Sequence, residues 1–175
     1  LSQGARLFKG SGRLGGSSLA HVFGQIGSDS PDMEDYDLVK RAFGVVQSLL
    51  DERVILAGHD VSDGGLVVTA LEMAFAGNTS LELDVTVAAN GSDDDKTGMA
   101  AMRALFAEEL ALVMQVADAN AERVKAAFAA AAVPLTRVGK TYVATTTSSN
   151  VVRVAVNGAT LLEETSLAAL RDVWE

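Results

Sequence analysis

The sequence predicts an α+β domain with a mostly antiparallel or mixed sheet. Helical and strand patterns alternate early in the chain, whereas hairpin signals dominate its end. The clearest signal is Asn157-Gly158 between two short apolar stretches, because Asn-Gly favours the tight turns that join antiparallel strands. An alternating first half followed by hairpins is typical of the α+β class.

Helices are predicted where apolar residues recur at helical spacing. The strongest such pattern covers residues 33–52, and Ser30-Pro31-Asp32 is its expected start, since Pro is favoured in a first turn. A second helix is predicted at 65–76, where Gly77-Asn78 suits a left-handed cap. The remaining predicted helices cover residues 19–26, 99–107, 119–132 and 166–174.

Strands are predicted from short apolar runs and from alternation of apolar with polar residues. Residues 53–58 form a buried run, residues 81–87 alternate, and residues 110–116 are almost all apolar. Shorter strands are predicted at 136–138, 142–146, 151–156 and 160–162, and residues 88–98 are a polar, acidic loop.

The chain is expected to be a single domain, residues 1–175, excised from a longer multidomain enzyme. It begins without Met and ends in what reads as an unfinished helix. Within it, residues 1–30 form a glycine-rich N-terminal segment and residues 31–175 form the main body. The length fits one domain with a sizeable core.

The composition excludes several classes of function. A net charge of −9 argues against nucleic-acid partners, which need a basic face, and against anionic membranes. The chain contains no Cys, so disulfides, thiolate metal sites and a Cys nucleophile are excluded within it. No targeting segment or membrane span is visible in the sequence, and a cytoplasmic location is expected.

The most informative motif is His-Asp-Val-Ser-Asp-Gly-Gly at residues 59–65, between a predicted strand and a predicted helix. The two glycines allow the backbone to approach a ligand closely, and a helix N-terminus favours an anion. A carboxylate at the same place suits Mg²⁺, which prefers oxygen ligands and shared phosphate oxygens. The combination indicates a metal–nucleotide site.

Simpler interpretations remain open at this stage. Ser62 or Asp63 could cap the helix, and Asp60 could satisfy N–H groups of the loop. The adjacent carboxylates of Glu108 and Glu109 could face a cleft, or they could form a solvated helix end, which is the simpler interpretation.

Several stretches resemble the C-terminal domain of the aminoimidazole ribonucleotide synthetase superfamily, and within it the large, single-chain phosphoribosylformylglycinamidine synthases. The second of the two such domains in those enzymes is the more similar. The resemblance covers nearly the whole chain. It is carried by residues 59–66, 71–77, 13–25, 105–110 and 170–175. Ala111 and His21 depart from the pattern, which usually has Gly and Gln there.

The resemblance implies an α+β fold with a four-stranded, mostly antiparallel or mixed sheet flanked by helices. It implies an ATP-dependent carbon–nitrogen ligase of purine biosynthesis that converts formylglycinamide ribonucleotide, with glutamine as amido donor, to the amidine. Asp60 would be a Mg²⁺ ligand and Ser62 a nucleotide contact, and no residue of this chain would be catalytic. The remaining metal ligands and the glutaminase would lie in neighbouring domains of the same polypeptide, so this chain alone would be inactive.

Two other functions remain open. The chain could be a non-catalytic scaffold domain, or it could belong to another enzyme of the superfamily such as a selenophosphate synthetase. The large synthases carry one catalytic nucleotide site and one that holds nucleotide structurally, and the resemblance points toward the structural one for the second half.

Overall fold

The structure is a computed structural model that describes residues 2–7, as backbone only, and residues 12–87, 98–144 and 149–175. Seven strands and six α-helices are defined within these residues. The strands are β1 (Ser2–Leu7), β2 (Ile55–Asp60), β3 (Ser80–Val85), β4 (Leu112–Ala117), β5 (Leu135–Tyr142), β6 (Val151–Val156) and β7 (Ala159–Ser166). The helices are α1 (Ser18–Val22), α2 (Tyr36–Asp51), α3 (Gly65–Gly77), α4 (Met99–Phe106), α5 (Ala121–Ala130) and α6 (Leu167–Trp174).

The described strands form one mixed sheet in the order β2-β4-β1-β5-β3-β6-β7. Every neighbouring pair is antiparallel except β3 and β6, which are parallel. The α+β class and the mostly antiparallel, mixed sheet are therefore confirmed, and the sheet extends beyond the four strands that the resemblance implied. Strand β2, which ends in the motif, lies at one edge.

Helices cover both faces of the sheet. Strand β4 shows this directly, because Val113 packs into one apolar cluster and Met114 into another. The first cluster contains the fully buried Leu66 of α3 together with apolar residues of α4 and α6. The second contains the fully buried Phe128 of α5 and apolar residues of α2. The alternation of side chains along β4 thus separates two cores.

The local sequence signals account for most element boundaries. Asn157 and Gly158 both have positive φ, 51° and 75°, as the tight β6–β7 hairpin requires. Asn78 closes α3 in the left-handed conformation, φ 46°. Helix α2 starts later than Ser30-Pro31-Asp32 indicates, because the Asp35 side chain accepts the hydrogen bond from the Leu38 N–H.

Three boundary predictions were wrong. The strand predicted at 53–58 runs instead from Ile55 to Asp60, so Asp60 is the last residue of β2 rather than a loop residue. Strand β5 runs from Leu135 to Tyr142, so it contains the strand predicted at 136–138 but only the first residue of the one predicted at 142–146, whose last two residues lie outside the described residues. The helix predicted at 19–26 is only five residues long. The acidic loop predicted at 88–98 falls almost entirely outside the described residues.

Strand β1 has no clear sequence signal. It pairs with β4 and β5 in the middle of the sheet, although the glycine-rich composition of this part of the chain is typical of a loop. Its register shifts between Gly4 and Ala5, opposite Gly139 and Arg137 of β5. The pairing, rather than intrinsic strand propensity, fixes this segment, as is common for strands.

Arg13 fixes the described part of the glycine-rich segment, from Gly12 onward, to the body of the domain. Its Nε and its backbone N–H donate to Glu109 Oε1 at 2.9 and 3.0 Å, and Nη2 donates to Oε2 at 2.9 Å. Glu109 is 2% exposed, so a buried carboxylate is matched by three donors from one residue. These hydrogen bonds hold the pKa of Arg13 above its already high ordinary value.

Removing the charge of Glu109 should destabilise the fold. In Glu109→Gln the partly buried guanidinium of Arg13 loses its buried charged partner and keeps only the exposed Glu34, so the melting temperature of the chain should fall clearly. The matched control is Glu122→Gln, because Glu122 forms an exposed ion pair with Lys125 and should change stability by no more than about 0.5 kcal/mol. Equal melting temperatures for the two variants would contradict a structural role for the Arg13–Glu109 pair.

Gly65 should be the least replaceable glycine of the motif. It has φ +72°, and an added Cβ would lie 2.6 Å from the backbone carbon of Phe106. Gly16 is the matched control, since it has φ +74° but open space around a Cβ. Gly16→Ala should cost only the roughly 1–2 kcal/mol of left-handed backbone, and Gly65→Ala should cost more in chemical denaturation. Equal losses in the free energy of unfolding for the two variants would mean that Phe106 moves away freely from the added Cβ.

Candidate functional site

Asp60 lies at the open edge of the sheet. It is the last residue of β2, it pairs with Leu112 of β4, and its side chain is 80% exposed. Because β2 has no neighbour on its other side in the described sheet, nothing there covers the carboxylate. The sequence expectation of an accessible carboxylate at this strand end is consistent with this geometry.

The preceding residue, His59, is held by contacts at both ring nitrogens. Nδ1 lies 2.6 Å from the backbone oxygen of Asp60, and Nε2 lies 3.2 Å from Oε2 of Glu72 on α3. A ring that carries protons on both nitrogens can donate to both oxygens. The hydroxyl of Thr69 also donates to the Asp60 oxygen, at 3.4 Å. Helix α3 therefore fixes the backbone that carries Asp60.

The turn after Asp60 depends on its two glycines. Gly64 and Gly65 have φ of 84° and 72°, in the region where residues with a Cβ are strained. The Gly65 N–H donates to the Ser62 oxygen at 3.0 Å, and the Val61 N–H donates to the Ala111 oxygen at 2.8 Å. The turn is thus tight, and it packs directly against the end of α4 through Gly65.

The structure contradicts the interpretation that Ser62 or Asp63 caps helix α3. The N-cap of α3 is Gly64, and no side chain caps this helix. Asp63 is exposed and Ser62 is partly exposed. The Asp63 side chain is therefore at the surface, and the Ser62 side chain is partly accessible to solvent.

Glu108 explains part of the geometry that the sequence left open. Its Oε1 accepts hydrogen bonds from the Gly64 N–H and from the Ser18 N–H, both at 2.8 Å. The carboxylate therefore joins the motif turn to the N-terminus of α1, and it occupies the Gly64 N–H. The two carboxylates therefore do not form a solvated helix end: Glu108 binds two backbone N–H groups, and Glu109 is buried against Arg13 at the wall of a small pocket.

Ala111, a departure from the family pattern, does not obstruct the site. It is 3% exposed and its side chain packs into the apolar cluster on the α3 face. Its backbone oxygen is the group that meets the motif, through the Val61 N–H. A methyl group at this position therefore fills core volume instead of narrowing the approach to Asp60.

A cavity of about 360 Å³ lies between α3 and the sheet, beside the His59–Glu72 contact. Its lining is mostly apolar, with Met73 from α3 and Leu83 from β3. At its sheet side Gln115 donates to the Thr141 hydroxyl at 2.8 Å. The cavity brings His59 and Glu72 within reach of any molecule that enters it.

The arrangement offers a metal ion one good ligand. Among the described residues no group of three or more His, Cys, Asp or Glu side chains could hold a metal. An exposed carboxylate at a strand end fits one position on a hard cation, and Mg²⁺ requires about six oxygens in total. Asp60 and Ser62 therefore fit part of a metal–nucleotide site.

Sequence reasoning missed Glu72 and the role of Glu108. A signal existed for Glu72, because it is the only charged residue in the otherwise apolar helix α3. Such an isolated charge needs a partner when it is partly buried, and His59 is that partner. No local signal existed for Glu108, because its two donors lie 44 and 90 residues away in the chain.

The chain has relatives in several eukaryotes. The sequence is 46% identical to a probable phosphoribosylformylglycinamidine synthase, chloroplastic/mitochondrial, of Arabidopsis thaliana, over 97% of this chain and 11% of that protein. It is 41% identical to the phosphoribosylformylglycinamidine synthase of Homo sapiens, over 97% of this chain and 12% of that protein. The chain therefore spans about a tenth of the length of these relatives.

Solved structures share the fold. PurL of T. maritima complexed with FGAR has a TM-score of 0.75 at 15% identity, over 97% of this chain and 27% of that one. HypE of E. coli, a hydrogenase maturation protein, has a TM-score of 0.57 at 20% identity, over 95% of this chain and 49% of that one. At these identities the likeness concerns the fold alone. In the described part of the chain no helix has the length and apolar character to cross a bilayer.

A family comparison agrees with the fold and with the relatives. Residues 6–151 match the family described as AIR synthase related protein, C-terminal domain. The match includes β2, the motif turn and α3, as well as Glu108 and Glu109. The chain belongs to the AIR synthase related proteins, as a C-terminal domain of that family.

Proposed function

We propose that this chain is one domain of an ATP-dependent amidoligase of purine biosynthesis. The full protein would convert formylglycinamide ribonucleotide, glutamine and ATP to formylglycinamidine ribonucleotide, and this domain would contribute half of a Mg²⁺–nucleotide site. The names of the relatives at 41% and 46% identity support the reaction. A cytoplasmic location is part of the same proposal.

The observation that carries the nucleotide site is the position of Asp60. It is an exposed carboxylate at the end of an edge strand, and His59 and Thr69 hold the backbone that carries it before any ligand arrives. Ser62 lies in the same turn and offers a hydroxyl to a phosphate or ribose oxygen. We assign the metal contact to Asp60 and the nucleotide contact to Ser62.

Magnesium would supply the positive charge that neutralises the negative charge of the nucleotide phosphates. Positioning and charge neutralisation account for most of the catalysis of phosphoryl transfer, and the metal ion provides both when it is bound. This chain's own contribution is to hold one carboxylate in place and to keep the turn rigid through Glu108. The other oxygen ligands must come from a different domain.

The scaffold alternative remains the main rival. It would explain the motif as a turn that joins β2 to α3 and nothing more. Two features favour the ligand site: no side chain of the motif caps α3, and Asp60 stays exposed instead of binding loop N–H groups. A selenophosphate synthetase is less well supported, because the relatives at the highest identities quoted above carry a different name.

Asp60→Asn in the full-length protein should lose nucleotide. The change removes the charge while nearly keeping the shape, and loss of a metal ligand should reduce retention roughly tenfold or more, since even outer contacts of metal sites matter that much. Ser62→Ala should weaken retention less, by about 0.5–1.5 kcal/mol. Nucleotide content after purification, measured by absorbance and chromatography, checks both expectations.

The matched control is Asp118→Asn, which removes the same charge. Asp118 follows the opposite end of β4 from Leu112, the partner of Asp60, so it is remote from the site. Wild-type nucleotide content in Asp60→Asn would mean that Asp60 is only a turn residue. If the site is structural, Asp60→Asn should also lower the melting temperature of the loaded enzyme, because a bound ligand raises apparent stability. If the site is catalytic, turnover should fall at an unchanged melting temperature.

The chain alone should bind Mg²⁺·ATP weakly or not at all, and it should form no amidine. One carboxylate and one hydroxyl cannot replace the set of oxygens that Mg²⁺ requires. Isothermal titration calorimetry of the 175-residue chain checks the binding. Sub-micromolar affinity, or turnover by the purified chain, would contradict the half-site proposal and indicate a self-contained site.

A further inference from the structure

Three large apolar side chains near α1 face solvent. Val22 is 80% exposed, Phe23 is 67% exposed and Ile26 is 56% exposed, and together they are called the loop patch here. They lie within five positions of one another, so they are grouped rather than scattered over the surface. Contiguous exposed apolar groups of this kind mark interaction sites more often than isolated ones do.

The loop that carries the patch is held in one shape by its backbone. The Gly16 N–H donates to the Ile26 oxygen at 2.8 Å, and the Gln25 N–H donates to the Ala20 oxygen at 2.8 Å. The Gly15 N–H donates to the Asp29 oxygen at 2.9 Å, and a Cβ on Gly15 would lie 2.6 Å from that residue's backbone. The outward position of the patch is therefore a property of a tightly bonded loop.

A groove adjoins the loop patch and has room for a side chain. Its volume is about 470 Å³, and Phe23 and Ile26 form part of its wall. The rest of the wall includes Leu14, Leu19 and the thioethers of Met99 and Met102 on α4. Methionine adapts its shape to an incoming apolar group, so this wall suits an inserted aliphatic or aromatic side chain.

Acidic residues follow the patch in the sequence, and the first of them, Asp29, lines the groove. The nine residues 29–37 contain five carboxylates, and all five residues are exposed: Asp29, Asp32, Glu34, Asp35 and Asp37. One of them, Glu34, pairs with Arg13 at 3.0 Å, and the net charge of the segment stays negative. A complementary surface would therefore combine an apolar centre with Lys or Arg at its rim.

The same loop is connected to the motif turn. Glu108 accepts from the Ser18 N–H at the start of α1 and from the Gly64 N–H of the turn. Glu108 therefore fixes the position of the patch loop relative to the motif turn that follows Asp60. A domain that docks on the loop patch is positioned relative to Asp60 through this carboxylate. A domain that completes a site at Asp60 would need a docking surface in a fixed position relative to the motif turn, and the loop patch is such a surface.

We infer that the loop patch and its groove are the docking surface for another domain of the same full-length polypeptide. That domain inserts apolar side chains into the groove and places basic residues against the acidic segment 29–37. The relatives are roughly eight to nine times as long as this chain, since 97% of it covers 11% and 12% of them, so most of such a polypeptide lies outside it. The inference rests on the proposed function only in placing this chain within such a polypeptide, and it does not require Asp60 to bind a metal.

Photo-cross-linking in the full-length protein tests the inference. A benzoylphenylalanine replaces Phe23, which preserves aromatic character at an exposed position, and the control carries it at Glu122, whose side chain is 85% exposed on α5. An equal mixture of light and isotope-labelled protein is irradiated and the cross-linked peptides are identified by mass spectrometry. The expected product joins residues 18–27 to a peptide outside residues 1–175 of the same copy, several-fold above the yield from position 122.

Each other product overturns the inference. A cross-link that mixes light and labelled peptides would show a second copy on the patch, and a cross-link within residues 1–175 would show that this domain covers it. A yield no higher than at position 122 would mean a solvated patch. The outcome is separable from the nucleotide proposal, because Asp60→Asn can keep or lose nucleotide whichever cross-link forms.

Hydrogen exchange of the full-length protein gives a second measurement. Replacing Phe23 and Ile26 together by Ser should speed amide exchange in the docked peptide that the cross-link identifies, while Glu122→Ser should not. Unchanged exchange in the Phe23 and Ile26 variant would contradict docking even if a cross-link forms.

Discussion

Two adjacent carboxylates in the connection between α4 and β4 hold together parts of this domain that are distant in sequence. Glu109 accepts three hydrogen bonds from Arg13, and Glu108 accepts one from α1 and one from the motif turn. A buried carboxylate is costly unless donors surround it, so these contacts specify one arrangement of the segments that supply the donors. The glycine-rich segment and the motif turn share a common anchor for this reason.

The anchor works only because the turn beside it has no side chains. Gly64 presents its N–H to Glu108 while in the left-handed conformation, and Gly65 lies against the backbone of Phe106. A residue with a Cβ at either position would meet a neighbour and strain the backbone. The sequence suggested that these glycines let the backbone approach a ligand. In the structure they let the turn pack against Phe106 and Glu108 of the same chain.

Local chemistry made much of the fold predictable. The Asn157-Gly158 hairpin, the Asn78 cap and the helical spacing of α2 and α3 all depend on residues close together in the chain. Strand β1 was not predictable, because its place in the sheet comes from partners more than a hundred residues away. The same distinction holds at the candidate site: the motif predicts Asp60 and Ser62 as ligand contacts from adjacent residues, whereas the contacts of Glu108 exist only in the folded chain.

The place of Asp60 on an edge strand has a consequence for how the site behaves over time. Strand β2 is hydrogen-bonded only to β4 in the described sheet, whereas the interior strands are bonded on both sides. Edge segments open locally at a lower free energy than interior ones, well below the free energy of global unfolding. The carboxylate therefore resides on one of the more readily opened parts of the domain, and a ligand that bridges Asp60 to a second domain would close that edge. Affinity at the site would then include the free energy of ordering β2, and sequence changes along the β2–β4 ladder could tune ligand lifetime while the rest of the domain keeps its stability.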